Sequence, residues 1–285
     1  MKSPYLGKIR LRWCDNCNLP ILGKKCGICH QVTRPVQIAP PGDARPLFEK
    51  ELTLLVDAIT QFFGTDLAQV IHHHLANRVI LFNKAPYEDR MDEIIADGSV
   101  IGVLRFDLFR NHFEFHPRLD IAPWITIRPE TSNLKGWVIV DPHLKKLLAQ
   151  SKISVLAPGV LKADPSLQRG DPVLVFSADE LIATGVAKMS GQEMNHAVVA
   201  RTKGVAVKVK HHRYLHPVQA QPPAKQSWDA VLAANKAILT DFELEARQFI
   251  RRVVNEFSEP PVVAYSGGKD SLAVLLLVIN TIPCK

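Results

Sequence analysis

The sequence contains no run approaching 18 uninterrupted apolar residues and no apolar N-terminal segment. A membrane-spanning helix and a secretory leader are excluded on those grounds, so a soluble, cytoplasmic chain with no membrane partner is expected. Its most apolar stretch, LAVLLLVIN over 272–280, is too short to cross a bilayer. Internal repeats and low-complexity tracts are missing as well. Neither GxxxxGKS/T nor GxGxxG occurs, which sets aside the two commonest phosphate-cradling signatures. No Ser-His-Asp or Cys-His pairing can be argued, and no general base can be named. Charge of one sign is also modest. Lys and Arg number 35 against 28 Asp and Glu, a net charge of +7, which suits an anionic partner but is common in proteins that bind nothing charged. Much of the local excess lies at 2–12 and 201–213.

What is present allows large cores. At 285 residues and 47% hydrophobic content, the length suits about two domains. Two proline-rich stretches, PVQIAPPGDARP (35–46) and HPVQAQPPAKQ (216–226), read as a connector and a linker. They divide the chain into a metal module over 1–35, an α+β region over 46–140, a β-rich unit over 141–216, and a helix leading into a nucleotide fold over 226–285.

Within the second region, Phe48, Leu52, Leu55, Val56, Ile59, Phe62 and Phe63 share one helical face, and Asp97-Gly98 marks a hairpin. His72, His73 and His74 are consecutive, and successive helical residues diverge by about 100°, so they do not form one metal site. Asp89, Asp92 and Glu93 beside Arg90 read as a helix start or a surface salt-bridge cluster. The Phe113-Glu114-Phe115 alternation makes the segment between His112 and His116 a strand. The clearest helix covers 226–257, with Ser227 as N-cap and Trp228, Val231, Leu232, Ile238, Leu239, Phe242, Phe249, Ile250 and Val253 mostly at three- and four-residue steps. It is expected to pack on the nucleotide fold.

Four of the five cysteines form two CxxC pairs, Cys14/Cys17 and Cys26/Cys29, separated by eight residues. Two knuckles of this kind suit a tetrahedral Zn²⁺ ion with no position left open for chemistry. A mononuclear iron centre is the weaker metal alternative, and disulfides or a redox pair are disfavoured without a secretion signal. Gly23 and Gly27 are expected to ease the knuckle turns, a hairpin of 10–13 with 20–23 to brace the site, and His30 to be a neighbour and not a ligand. Cys284 is either a bystander or part of chemistry further downstream.

Residues 262–271, VVAYSGGKDS, carry the sharpest signal. VVAY reads as a buried strand, SGGKDS as a tight turn, and the next residues as a buried helix. Glycines that admit a close backbone approach, at a helix N-terminus, favour an anion. Ser266, Gly267, Gly268, Lys269, Asp270 and Ser271 are thus the candidate phosphate-binding residues, with Asp270 serving either a metal such as Mg²⁺ or the turn itself. SGGKDS resembles the PP-loop of the ATP pyrophosphatase-like (adenine nucleotide alpha hydrolase-like) superfamily, closest to its phosphoadenosine-phosphosulfate (PAPS) reductase and ATP sulfurylase small-subunit group. A doubly wound domain needs about 100–200 residues and this chain supplies one strand and one helix of it. The polypeptide is therefore expected to be truncated or to find the remainder elsewhere.

Over 152–215, short β-branched runs alternate with turns at Pro158-Gly159, Gly170-Asp171 and Lys203-Gly204, the spacing of a small barrel. The string APGV…GD-VLVF…ATGVA…KGVAVKV resembles the PUA domain, the RNA-binding barrel of pseudouridine synthases and archaeosine transglycosylases; NKAPYEDRMDEIIADGSVIGVLRFD resembles the region preceding it in some such proteins. The resemblance implies structured RNA, a tRNA or rRNA, as partner, with Lys162, Lys188, Arg201, Lys203, Lys208 and Lys210 as candidates for phosphate contacts. Alternation puts Lys208 and Lys210 on one face of a strand and Val207 and Val209 on the other.

The whole order is similar to archaeal PAPS-reductase-family proteins, of which this sequence would supply the N-terminal part. The expected fold class is a multidomain α/β plus β chain: a four-cysteine zinc ribbon, an α+β pre-PUA region, a PUA-like β-barrel, and the first strand and helix of an incomplete PP-loop domain. The resemblance implies ATP or a PAPS-like nucleotide, adenylyl or sulfur transfer with or on RNA, and an iron–sulfur cluster only in a missing C-terminal part. As the chain stands, that transferase or oxidoreductase is catalytically incomplete. The alternative is a zinc-ribbon and PUA RNA-binding protein without catalytic activity.

Overall fold

The computed structural model describes residues 9–151, 153–200, 203–213, 217–219, 226–257 and 261–282. Arg201 and Cys284 lie outside the described residues. The chain opens with a three-stranded antiparallel sheet, β1 (Arg12–Cys14), β2 (Leu19–Ile21) and β3 (Arg34–Pro35), in the order β2-β1-β3. An antiparallel meander follows, built from β4 (Asp43–Pro46), β5 (Leu81–Lys84), β6 (Met91–Ala96), β7 (Ser99–Asp107) and β8 (His112–Pro117). Between its first two strands run α1 (Glu49–Phe63) and α2 (Thr65–Leu75). Leu55, Ile59, Phe63, Leu67 and Ile71 bury one apolar stripe of these helices against Phe82, Ile94, Leu104 and Phe115 of the sheet. Phe48 is no part of that stripe. It sits before the first turn and stays 59% exposed, while Glu51 accepts a hydrogen bond from its N–H at 3.2 Å.

The proline-rich stretch 35–46 is built into the fold: Pro35 pairs in β3, 43–46 form β4, and Val36 is buried. The described part of 216–226 is not a free linker either. Val218 joins the main core and its N–H donates to the Asp120 carbonyl at 3.1 Å. Asp92 and Glu93 also depart from a surface reading, since both are buried on β6. Arg90 holds Asp92 at 2.7 Å, and Arg118 and the Ala39 N–H hold Glu93 at 2.8 and 2.7 Å.

A six-stranded sheet comprises β9 (Trp137–Val140), β10 (Val155–Leu156), β11 (Val160–Ala163), β12 (Pro172–Ser177), β13 (Glu180–Ala187) and β14 (Val205–His211), in the order β10-β14-β13-β12-β9-β11. Helices α3 (Pro142–Gln150) and α4 (Gly191–Ala200) accompany it. Trp137, Leu174, Phe176 and Leu181 join the α1/α2 core, so one apolar body spans both sheets. Two helices follow, α5 (Trp228–Glu256) and α6 (Lys269–Ile279).

The first sheet is joined to the second by a buried polar network. Asp97, at the β6–β7 turn, receives Arg78 Nε at 3.0 Å, and the two side chains are 3% and 0% exposed. Asp97 also accepts from Asn18 Nδ2 at 2.8 Å and from the Gln219 N–H at 2.9 Å. Asn18 in turn accepts from Trp13 Nε1 at 2.7 Å. Arg78 donates to the carbonyls of His74 (2.6 Å) and Gln219 (2.9 Å) and lies over the Trp124 ring at 4.9 Å. Gly98 belongs here for space: its φ is +69°, and a Cβ would fall 2.4 Å from Trp13 Cγ.

Removing one member of a buried, hydrogen-bonded ion pair strands the other charge. Asp97→Ala should therefore cost about 3–5 kcal/mol in chemical denaturation. His74 supplies a pH prediction. It stacks on Trp124 at 4.8 Å, and burial, aided by Arg78, lowers its pKa from 6.5 to about 4. The unfolded chain takes up that proton first, so folded stability should fall as pH drops from 6.5 towards 4. The melting temperature of the wild type should drop further over that interval than that of His74→Phe.

Candidate metal centre and nucleic-acid interface

The cysteine module is shaped by two matching knuckles. Cys14-x-x-Cys17 ends in Asn18 at φ +53°, and Cys26-x-x-Cys29 ends in His30 at φ +59°. The residue after each second cysteine thus takes the left-handed turn, and neither expected glycine does. Gly27 serves another purpose. Its N–H donates to the Ala234 carbonyl at 2.9 Å, and a Cβ there would meet that oxygen at 2.5 Å.

All four Sγ atoms lie within 4.8 Å of one another, with Cys14–Cys29 at 3.4 Å and Cys17–Cys26 at 3.8 Å. A tetrahedron with Zn–S bonds of about 2.3 Å has edges of about 3.8 Å, so the cluster has the size of a four-sulfur metal shell. All four are free thiols. Burial pushes the Cys14 thiol up and, with Cys29 and Cys26 beside it, takes Cys17 up to about 12. The Gln31 backbone N–H brings Cys29 down to about 6. Crowded sulfurs resist a second and third negative charge, and a divalent cation removes that penalty. The four cysteines can therefore hold a metal ion such as zinc, in a closed, structural site.

Helix α5 is fastened to this module through its first turns, and further along it meets α6, where Arg247 donates to the Asn280 carbonyl at 3.0 Å. Its buried residues are Val231, Ala234 and Asn235, the first two packed with Cys14, Cys26, Leu19 and Ile21. Asn235 Oδ1 accepts from the Leu22 N–H at 2.8 Å, and its Nδ2 donates to the Pro20 and Val231 carbonyls at 2.9 and 2.8 Å. It thereby satisfies the open edge of β2. Ser227 caps the helix as expected, accepting from the Ala230 N–H at 3.2 Å.

The candidate RNA residues do not form one cluster. Lys188 and Lys203 line a single shallow groove of about 740 Å³ with Arg169, Glu193 and His196. Both are exposed and make no ion pair among the described residues. Arg169 is matched by Glu193 at 2.5 Å, and that contact holds the Glu193 carboxyl down at about 2. Lys208 and Lys210 are exposed on β14 with Val207 and Val209 buried between them. Lys162 is apart, paired with Glu130 at 2.6 Å. Arg169 and His196 were not expected. The signal for Arg169 was its place before the Gly170-Asp171 turn.

At the second candidate site, residues 261–266 form no strand and Val262 is 95% exposed. No strand among the described residues pairs with them, and an apolar run becomes a strand only when a neighbouring strand takes its hydrogen bonds. Helix α6 forms but has no buried residue, for the same lack of a sheet beneath it. Gly267 has φ +82° with open space beyond it. The N–H groups of 267–270 have no hydrogen-bond partner among the described residues, while the Ser266 N–H donates to Ser271 Oγ at 3.3 Å. Lys269 is held by Asp43 of β4 at 2.7 Å and by Asp270 at 2.8 Å, which raise its pKa.

Residues 136–213 match the PUA domain. Over 279 residues the chain is 28% identical to an uncharacterized protein of Methanocaldococcus jannaschii, covering 98% of this chain and 56% of that protein; the chain thus spans little more than half of that relative's length. A hypothetical protein of the hyperthermophile Pyrococcus horikoshii is similar over 59% of this chain and 93% of its own, at 23% identity and a TM-score of 0.44. An H/ACA ribonucleoprotein bound to a substrate RNA is similar over 27% of this chain and 23% of its own, at 31% identity and a TM-score of 0.24. No helix among the described residues is long and apolar enough to cross a membrane.

Elemental analysis of the purified chain should find one zinc per molecule, and Cys26→Ser should lower that ratio severalfold. Chelation should speed amide exchange in the first turns of α5, because Val231 and Ala234 pack on the cysteine cluster.

Proposed function

We propose that this chain binds structured RNA through its PUA-like barrel, with the cysteine module as a metal-stapled support for α5. The observation that carries the reading is the pairing of the PUA match over 136–213 with a groove edged by Lys188 and Lys203, two exposed cations with no ion pair among the described residues. PUA domains typically bind RNA. Side chains of this kind take phosphates, giving affinity that depends on salt and reads no sequence. Lys208 and Lys210 extend the positive strip along β14, whereas Lys162, already paired with Glu130, is the weakest of the candidates.

A second reading, a phosphate-bearing nucleotide such as ATP or a PAPS-like compound at 266–271, is favoured by one feature: a left-handed Gly267 followed by N–H groups that no other part of the described chain uses. Such amides stabilise a polyanion. The site as it stands is half of one, with its apolar strand segment exposed and its lysine drawn to Asp43. Adenylyl or sulfur transfer would need the missing sheet to be supplied by further polypeptide, and the length of the Methanocaldococcus relative is consistent with that.

Filter binding of unfractionated tRNA across a salt series tests the first reading. The wild type should lose affinity steeply with salt, and the Lys188→Ala/Lys203→Ala double variant should flatten the slope by about two phosphate contacts. A wild type whose affinity ignores salt would sink the reading. For the second, Asp43→Asn should tighten ATP binding measured by calorimetry, because it removes one of the two carboxylates that hold Lys269.

A further inference from the structure

Among the described residues, Phe109 is as exposed as any large apolar side chain, at 95%, and its neighbour Leu108 is 52% exposed. They form the tip of the β7–β8 hairpin, and that tip is fixed. Asp107 Oδ1 accepts from the N–H groups of both Phe109 and Arg110 at 2.9 Å, and Asn111 takes the left-handed turn at φ +54°. Arg110 is pinned by Asp171 at 2.9 Å and by Glu114 at 3.3 Å. The ring is therefore presented to solvent on a backbone that cannot fold it back, an apolar surface held ready for a partner.

The position of the tip indicates what that partner is. Arg110 Nη2 donates to the Arg169 carbonyl at 3.3 Å, and the Arg169 side chain lines the groove that holds Lys188 and Lys203. Arg110, next in sequence to Phe109, thus touches the backbone of a residue that lines the groove. The apolar patch is a single ring and one leucine, far below the roughly 800 Å² per partner of a protein interface, but the size of one nucleobase. Positive groups around an exposed ring form the usual stacking platform for an unpaired base.

We infer that the β7–β8 hairpin tip is a second RNA contact, in which Phe109 stacks on an unpaired base while the adjoining barrel groove holds the neighbouring phosphates. This rests on the RNA reading above and adds a non-electrostatic contact outside the barrel. Stacking has no charge, so its loss lowers affinity without changing the salt slope. Loss of the two lysines also lowers affinity but flattens the slope.

The test measures unfractionated tRNA binding by the full chain as wild type, Phe109→Ala, Phe109→Tyr and Lys188→Ala/Lys203→Ala, each across a salt series. Phe109→Ala should weaken binding about 5- to 150-fold with an unchanged slope, Phe109→Tyr should restore it, and thermal unfolding should not move. If the wild type binds with the expected salt dependence but Phe109→Ala binds equally well, the hairpin contact is wrong and the barrel reading stands. If the wild type shows no salt-dependent binding, both fall. If Phe109→Ala instead abolishes self-association in sedimentation and leaves tRNA affinity intact, the tip is a protein contact and the inference is overturned.

Discussion

The ion pair between Arg78 and Asp97 fixes how the parts of this chain meet. Two charges cannot be withdrawn from water unless every remaining donor and acceptor finds a partner. Here the partners come from across the chain: Asn18 from the cysteine module, the His74 carbonyl from α2, and both backbone groups of Gln219 from the stretch after the barrel. Such an arrangement stabilises only weakly over apolar packing, yet it admits one geometry. The module, the helical layer and the return from the barrel must all be in register for the charges to be satisfied.

The cysteine module and α5 extend the same constraint. Asn235 closes the open edge of β2 as Asn18 closes the inner side of the module. Arg247, twelve residues or about 18 Å further along α5, donates to the Asn280 carbonyl at the end of α6 at 3.0 Å. The SGGKDS turn is tied back to the meander, where Lys269 pairs with Asp43 of β4 at 2.7 Å. The barrel is joined to the meander through Phe176 and Leu181 in the shared core.

Features that depend on short-range pattern were legible in the sequence. CxxC spacing located the cysteine cluster, three- and four-residue steps located α1 and α5, Ser227 marked a cap, and Asp97-Gly98 marked a hairpin. Alternation placed His112–Pro117 on a strand and sorted Lys208 and Lys210 from Val207 and Val209. Features set by distant partners were not legible. Nothing local in Asp97 announces an arginine 19 residues earlier and an amide 122 residues later. Gly27 read as a turn residue because its real constraint, the Ala234 carbonyl, lies on another element. VVAY read as a strand because apolar β-branched residues favour one, but no edge among the described residues accepts it. At the barrel the lysines were identifiable as a set. Which of them stood unpaired beside a groove depended on Glu130 taking Lys162 and on Glu193 taking Arg169 and not a lysine, and those pairings are tertiary.

RNA held along the barrel groove, as proposed, is detected by ultraviolet cross-linking of the tRNA complex followed by peptide mapping. Cross-links should concentrate in peptides carrying Lys188, Lys203 and the hairpin tip around Phe109. Cross-links confined to α6 or the cysteine module, with the groove untouched, would contradict it.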